Sequence, residues 1–273
     1  NCILERVAQT DSTNDDLMTR WRAGDLIDPI SRLARHQMKG KGRAGRSWYA
    51  NANNSLSFSL AYPFNRSAQA LQGLSLVCGL AVIKGIAKSL QLTEKELHHS
   101  GLALKWPNDL LIHGKKLGGI LIEGGRLSSG NSHEKTWMII GVGMNLEYCA
   151  SIEQASQIPI SALAQLNSKQ VSIDADLVWL AILDALGDYL AVFERDGFAP
   201  FQADWKNWDA YCNQAVEIME FGQTKYSGIA IGVNQEGALL LEEHPGQAPK
   251  VIYVGDLSLK KRSCDILLFD IGN

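Results

Sequence analysis

The stretch from Ala68 to Leu90 limits the fold more than any other. Leu71, Leu74, Leu76, Val77, Leu80, Val82, Ile83 and Ile86 recur at helical spacing and leave almost no polar face. A helix that is apolar nearly all round has to lie deep, against a sheet. Strands of the required kind are present. Ile3 to Thr10 and Ile30 to Gln37 read as strands. Ser55-Leu56-Ser57-Phe58-Ser59-Leu60 alternates strictly, one face apolar and one polar, and Pro63 is expected to end it. Leu102, Leu104 and Trp106 share one face of a further strand while Lys105 points the other way; Pro107 breaks it and Asn108-Asp109 turns. Leu110 to Ile112 and Leu117 to Glu123 form a hairpin around His113-Gly114-Lys115-Lys116. Trp137 to Asn145 is a buried strand in which Gly141-Val142-Gly143 permits close backbone approach.

Around these strands lie helices and loops. Asp11-Ser12-Thr13-Asn14 opens a helix running through Leu17, Met18 and Trp21 to Gly24; Ser12 or Thr13 caps it, with Asp15 and Asp16 in the first turn. Ile173 to Phe193 is amphipathic, with Leu177, Leu180, Leu183 and Leu186 on one stripe, and Phe201 to Tyr211 is a shorter helix. Ser128 to Lys135 is a polar loop, and Ser161 to Gln170 is loop and short helix. His98 and His99 sit beside Glu94 and Glu96 in a polar loop, without metal-ligand spacing. From Ala215 the pattern changes to short strands: Val216 to Phe221, Lys225 to Val233, Ala238 to Leu241 and Lys250 to Val254. Turns at Gln235-Glu236-Gly237 and Pro245-Gly246 separate them, which suggests a small barrel. The class is therefore α+β: a mixed β-sheet packed against helices over residues 1–212, a small barrel over 213–264, and a tail over 265–273.

Composition enters as exclusion. No apolar run reaches the length of a membrane span, and no signal peptide opens the chain. Cys2, Cys78, Cys149, Cys212 and Cys264 are odd in number, scattered and without a C-x-x-C pair, as expected of reduced thiols in a cytoplasmic protein.

One stretch asks for a ligand. Lys39-Gly40-Lys41-Gly42-Arg43-Ala44-Gly45-Arg46-Ser47-Trp48 combines three glycines, which let backbone approach a ligand, with four cations. No Asp or Glu occurs between Pro29 and Thr93, although the chain carries net charge -3. A local positive field on an acidic protein is a focused anion site. Gly40-x-Gly42-x-x-Gly45 matches the dinucleotide fingerprint, and Gly40 to Ser47 matches a phosphate loop with Arg46 in the lysine position. Both need a helix directly after the glycines, and Trp48-Tyr49-Ala50-Asn51-Ala52-Asn53-Asn54 is not one. Trp48 serves as an aromatic anchor at the base of the loop.

Four motifs stand in a fixed order: the loop from Gly40 to Trp48; Lys105-Trp106-Pro107-Asn108-Asp109; Lys116-Leu117-Gly118-Gly119-Ile120-Leu121-Ile122-Glu123; and Gly141-Val142-Gly143-Met144-Asn145. Together they resemble the biotin protein ligases, and Gly237-Ala238-Leu239-Leu240-Leu241-Glu242 resembles part of that family's barrel. The resemblance spans residues 3 to 261. It implies a biotin/lipoate ligase catalytic domain of the class II aminoacyl-tRNA-synthetase type, followed by an SH3-like barrel. It also implies a two-step reaction. Biotin and ATP, with Mg²⁺ travelling on the nucleotide, give biotinyl-5'-AMP; biotin then passes to a lysine of a biotin carboxyl carrier protein, the acceptor domain of acetyl-CoA carboxylase.

By that resemblance Arg43 and Lys105 are the catalytic cations, bridging carboxylate and α-phosphate. Ser12, Thr13, Asn14 and Gln37 hold the ureido ring, and Gly40, Lys41, Gly42 and Gly119 complete the biotin site. Lys41, Arg43, Arg46, Trp48, Lys116 and Asn145 meet the nucleotide, Asn145 reading adenine. Lys41 stands where the family commonly has arginine, so charge is kept and bidentate geometry lost. The glycine loop is expected to close as a lid over the reactive anhydride. Asp256 and Lys260 are expected to carry the barrel's contact with the site. A lipoate or octanoate ligase shares the lysine logic. A biotin-sensing regulator would need a DNA-binding module, which is not expected for this chain, and no nucleic-acid or membrane partner is expected; a homodimer stays open. The tail Asp265-Ile266-Leu267-Leu268-Phe269-Asp270-Ile271-Gly272-Asn273 resembles the opening strand of a type III pantothenate kinase, as expected of a fused second enzyme.

Overall fold

The computed structural model describes residues 2–126, 135–166, 173–220 and 223–253, together with the backbone of residues 258–261. In chain order come β1 (Ile3–Thr10), α1 (Thr13–Ala23), β2 (Ile30–Gln37), a ribbon of β3 (Gly40–Lys41) and β4 (Ser47–Trp48), β5 (Ser55–Phe64), α2 (Leu74–Leu90) and α3 (Glu94–His99). Then follow β6 (Leu102–Lys105), β7 (Asp109–Ile112), β8 (Lys115–Gly125), β9 (Thr136–Asn145), α4 (Ala150–Ser156), α5 (Ala175–Asp196) and α6 (Gln202–Trp208). A second group of strands ends the chain: β10 (Gln214–Glu220), β11 (Gln223–Val233), β12 (Leu239–Glu242), β13 (Lys250–Ile252) and β14 (Ser258–Lys261).

The large sheet has the order β1-β2-β5-β9-β8-β7-β6. The β1–β2 pair is parallel, joined through α1, and every other neighbouring pair is antiparallel. Side chains alternate across this sheet. Leu56, Phe58, Leu60, Ile120, Ile140, Val142 and Met144 face α2 and α5 and form the main core. The helices themselves pack tightly: a Cβ on Gly85 of α2 would stand 2.5 Å from the Ile182 Cα of α5. On the opposite face α1 covers only one end, where Leu17 and Met18 meet Ala61, Trp137 and Ile139. Beyond that end the same face carries Ser57, Ser59, Gly119, Gly141 and Gly143, and the cavity opens there.

Several expectations change. The long apolar helix is shorter than its pattern, because Gly73 takes φ 80° and separates a 3-10 turn at Ala68–Leu71 from α2. The α5 stripe is displaced: Leu177 and Leu180 are exposed, while Val178, Trp179, Ile182, Ala185, Leu186, Leu190 and Phe193 are buried. A period of three residues drifts off the face that a period of 3.6 holds, so the leucine spacing mislocated the stripe. Pro63 does not end β5, which pairs with β9 through Phe64. Past Ala61 the strand has left its register with β2, and a proline is tolerated on the edge it then presents. Glu94 to His99 is a helix, not a loop, held by a Thr93–Glu96 capping box, and His98 stacks on Trp208 at 3.7 Å.

The small sheet is antiparallel throughout, in the order β13-β12-β11-β10-β14, consistent with an SH3-like domain. It shares the main core, and one tight turn is closely fitted against the large sheet's side. The Trp106 indole N–H donates to Gly237 O at 3.1 Å, and a Cβ on Gly237 would stand 2.8 Å from the Gly73 Cα. Asp256, the Lys260 side chain, residues 128–134 and the tail from Asp265 to Asn273 lie outside the described residues. Among those described, no helix is long and apolar enough to cross a membrane.

Candidate active site

The cavity on the open face of the sheet measures about 350 Å³. Its floor is built by the start of α1. Ser12 caps the helix, accepting from the Asp15 N–H at 3.3 Å, so Ser12, Thr13 and Asn14 are all buried at one turn. Thr13 donates from its N–H to Gln37 Oε1 at 2.9 Å, which ties the helix start to the end of β2. Thr13 and Asn14 also bond to Ser59, and the Asn14 amide donates to Glu123 at 2.9 Å. Every side chain of the floor that faces the cavity is polar and neutral.

Two glycines of β9 make room for this arrangement. A Cβ on Gly141 would collide with the Asn14 Oδ1, and one on Gly143 would stand 2.5 Å from Trp48 Cε2. The strand therefore lends bare backbone against which an amide and an indole pack closely. Trp48 anchors the cationic loop as well, through the Gly40–Trp48 pair of the ribbon. Gly40 is packed beneath this corner: its Cβ would stand 2.6 Å from Gln37 Nε2 and 2.5 Å from Trp48 O.

The loop is a folded hairpin with a left-handed tip at Ala44 (φ 53°) and Gly45 (φ 71°). Its cations divide into two sets. Lys39 pairs with Asp11 at 2.8 Å and Lys41 with Asp15 at 2.6 Å, the acids that flank the start of α1. The acid-free sequence around the loop concealed these partners, since they come from 26 to 28 positions away. Asp11 holds the Lys39 ammonium pKa above its ordinary range. Arg43 and Arg46 line the cavity. Arg43 Nη1 donates to Asn108 Oδ1 at 3.3 Å, and Asn108 is oriented in turn by donating to Ile120 O at 2.7 Å.

Lys116 supplies a further cation on the wall, with Nζ 2.8 Å from Asp109 Oδ1. Its backbone bonds to Pro159 O and from the Ser161 N–H hold the segment after α4 beside β8. Ala155, Ser156, Gln157 and Ile158 of that region complete the wall.

Ser12, Thr13, Asn14, Gln37, Lys41, Gly42, Arg43, Arg46, Trp48, Lys116 and Gly119 thus come together on one cavity. Lys105, Gly40 and Asn145 do not line it. Lys105 faces away from Leu104 as its strand position requires; it pairs on β6 with Asp109 of the wall and is half-buried beside it. Burial lowers its pKa, Asp109 opposes that shift, and Lys116 and Arg46 add to it. Asn145 is buried beside Lys116, donating to Ser161 O at 3.1 Å, and its Oδ1 has no partner among the described residues. Trp48 Nε1 and Ser57 Oγ are likewise buried without one. Sequence reasoning missed Ser57, Asn108, Asp109 and the wall after α4. The polar face of the Ser55 to Leu60 alternation was the signal for Ser57: a polar face on a central strand has to line a cavity or meet partners.

The arrangement offers neutral hydrogen-bonding groups at the floor and positive charge at the other end, beside an aromatic ring. The chain is similar to the bifunctional ligase/repressor BirA of Escherichia coli, 29% identical over 233 residues, covering 85% of this chain and 67% of that protein. It is similar to the biotin–[acetyl-CoA-carboxylase] ligase of Mycobacterium tuberculosis, 29% identical over 255 residues, covering 93% and 88% of the two chains. It shares its fold with the biotin protein ligase from Aquifex aeolicus solved with biotin and ATP, at TM-score 0.73 and 24% identity, covering 95% of this chain and 99% of that one. The model of the biotin/lipoate A/B protein ligase family matches residues 7–145, half of the chain. The chain belongs to the biotin/lipoate A/B protein ligase family.

Proposed function

We propose that this chain joins biotin to ATP as biotinyl-5'-AMP and then transfers biotin to a lysine amine of a biotin carboxyl carrier protein. The observation that carries the reading is the two-ended cavity: Ser12, Thr13, Asn14 and Gln37 at a neutral floor, Arg43, Arg46 and Lys116 at a cationic end closed by Trp48. A urea is neutral and rich in hydrogen-bonding groups, which suits the floor. A dithiolane offers no N–H or C=O, so a lipoate ligase would leave buried polar groups unanswered.

The chemistry needs the cations. Attack of the biotin carboxylate on the α-phosphate brings two anions together, with pyrophosphate leaving, and fixed positive charge offsets the repulsion. Arg43, steadied by Asn108, is proposed to meet both reactants. Lys105 is proposed to keep the role that the resemblance gives it, and Lys116, on the wall beside the same Asp109, to share the charge stabilisation. Mg²⁺ is proposed to arrive with ATP, held by phosphate oxygens and water. Asn145 Oδ1, an acceptor without a partner among the described residues, suits the exocyclic amine of adenine. The acceptor lysine then displaces AMP, with its proton passing to solvent. The same proposal places the boundary between catalytic unit and barrel after residue 212, and the reaction in the cytoplasm with its ATP.

Incubation with biotin, Mg-ATP and a carrier domain, followed by an avidin blot, tests the reading. Label that depends on the carrier's acceptor lysine supports it. Label on a lipoyl domain given lipoate, with none on the biotin carrier, refutes it.

A further inference from the structure

The cavity floor has a direction, and its source is a residue outside the cavity. Glu123 and Ser59 are absent from the wall, yet both are bonded to residues on it. Consider where each proton must go. A carboxylate only accepts, so the 2.9 Å bond to Glu123 Oε2 fixes the Asn14 amide with its NH₂ toward Glu123. Asn14 Oδ1 then faces Ser59 Oγ at 2.6 Å, and as a carbonyl oxygen it cannot donate. Ser59 has one hydroxyl proton and gives it to Asn14. The Thr13 Oγ1 to Ser59 Oγ contact of 2.7 Å therefore needs its proton from Thr13. The other neighbour of that hydroxyl, Gln37 Oε1 at 3.1 Å, is held as an acceptor by the Thr13 N–H. Whichever of the two receives it, the Thr13 proton stays within the protein.

We infer that Glu123 is a positioning residue: through Asn14 it makes Ser59 an acceptor for Thr13, which together with Gln37 Oε1 keeps the Thr13 proton inside the protein, so that at Thr13 the floor offers a ligand only an acceptor and favours one bearing an N–H donor. The inference rests on the biotin reading above, where the ureido ring supplies those donors. Without an acceptor at position 123 the Asn14 amide is free to rotate. Ser59 and Thr13 can then reverse, and the floor no longer discriminates.

Calorimetric titration of biotin into five proteins tests this: wild type, Glu123→Leu, Glu123→Gln, Ser59→Ala and the Ser59→Ala/Glu123→Leu double variant, which completes a double-mutant cycle. Losing the orienting acceptor should raise the biotin Kd about tenfold or more in Glu123→Leu, the scale of one hydrogen bond to a charged group. Glu123→Gln keeps an oxygen for Asn14 and should stay within roughly threefold of wild type. Ser59→Ala cuts the relay, so Glu123→Leu should add nothing on that background, and ATP affinity should be unchanged throughout. Independent, multiplicative losses, an equal loss of ATP affinity, or Glu123→Gln as weak as Glu123→Leu would overturn the inference and leave the ligand reading standing. Should Leu at position 123 prevent folding, Ser59→Ala decides alone: unchanged biotin affinity overturns the relay. A wild-type chain that binds ATP and no biotin overturns the ligand reading instead, and the inference with it.

Discussion

Asp209→Asn should stabilise the protein at neutral pH and leave it unchanged in acid. Asp209 caps the C-terminus of α6, where the helix dipole disfavours a negative charge. Its Oδ1 accepts from the Tyr211 N–H at 3.0 Å, and its Oδ2 is buried without a partner among the described residues. Burial is the larger influence and pushes its pKa from 3.8 to about 6, against the smaller, lowering pull of the Tyr211 bond. Between those values the folded chain holds a proton that the unfolded chain has lost. Stability therefore falls as pH rises through this window, by about 1.4 kcal/mol per pH unit. Across the whole window the loss is on the order of 3 kcal/mol as an upper bound, and relaxation or water penetration reduces it to roughly 1–3 kcal/mol. Asparagine keeps the acceptor for Tyr211 and removes the charge. Urea unfolding of both proteins across about pH 4 to pH 8 should show the variant ahead by that amount above about pH 6, with the two curves converging near pH 4. Equal stability at neutral pH, or an advantage that persists undiminished in acid, would refute the reasoning.

Two further outcomes follow from the site. Lys105→Ala and Lys116→Ala should each slow biotin-dependent pyrophosphate exchange by about 10²-fold or more, the scale of losing one charge stabiliser. Unchanged exchange in either variant would remove that lysine from the site. Gly143→Ala drives a methyl to within 2.5 Å of Trp48 Cε2, so the indole has to move. Nucleotide affinity should fall about tenfold while biotin affinity holds; unchanged nucleotide binding would remove Trp48 from that end.

Much of this was legible because each signal is local. The Ser55 to Leu60 alternation, the Lys105 orientation on β6 and the hairpin after Leu110 depend on backbone period, and the structure keeps them. The tryptophan at the base of the cationic loop is indeed its anchor. What the sequence hid is long-range. Asp11 and Asp15 neutralise two loop lysines from another element, so charge counted along the chain overstated the loop's free cations. Strand parity turns Lys105 out of the core, but it could not show that Asp109 and Lys116 from the next two strands stand beside it. The wall after α4 carries no motif; it is in place because the Lys116 backbone bonds to it across the fold.

The bare face of β9 has one more consequence. Asn14 and Trp48 rest on glycines two positions apart, so the step between their seats on β9 is the repeat of an extended chain, about 7 Å. No rotamer sets that span and no side-chain substitution can stretch it. The protein carries a gauge cut into its main chain: an amide and an indole are held one fixed step apart, whatever the side chains around them do.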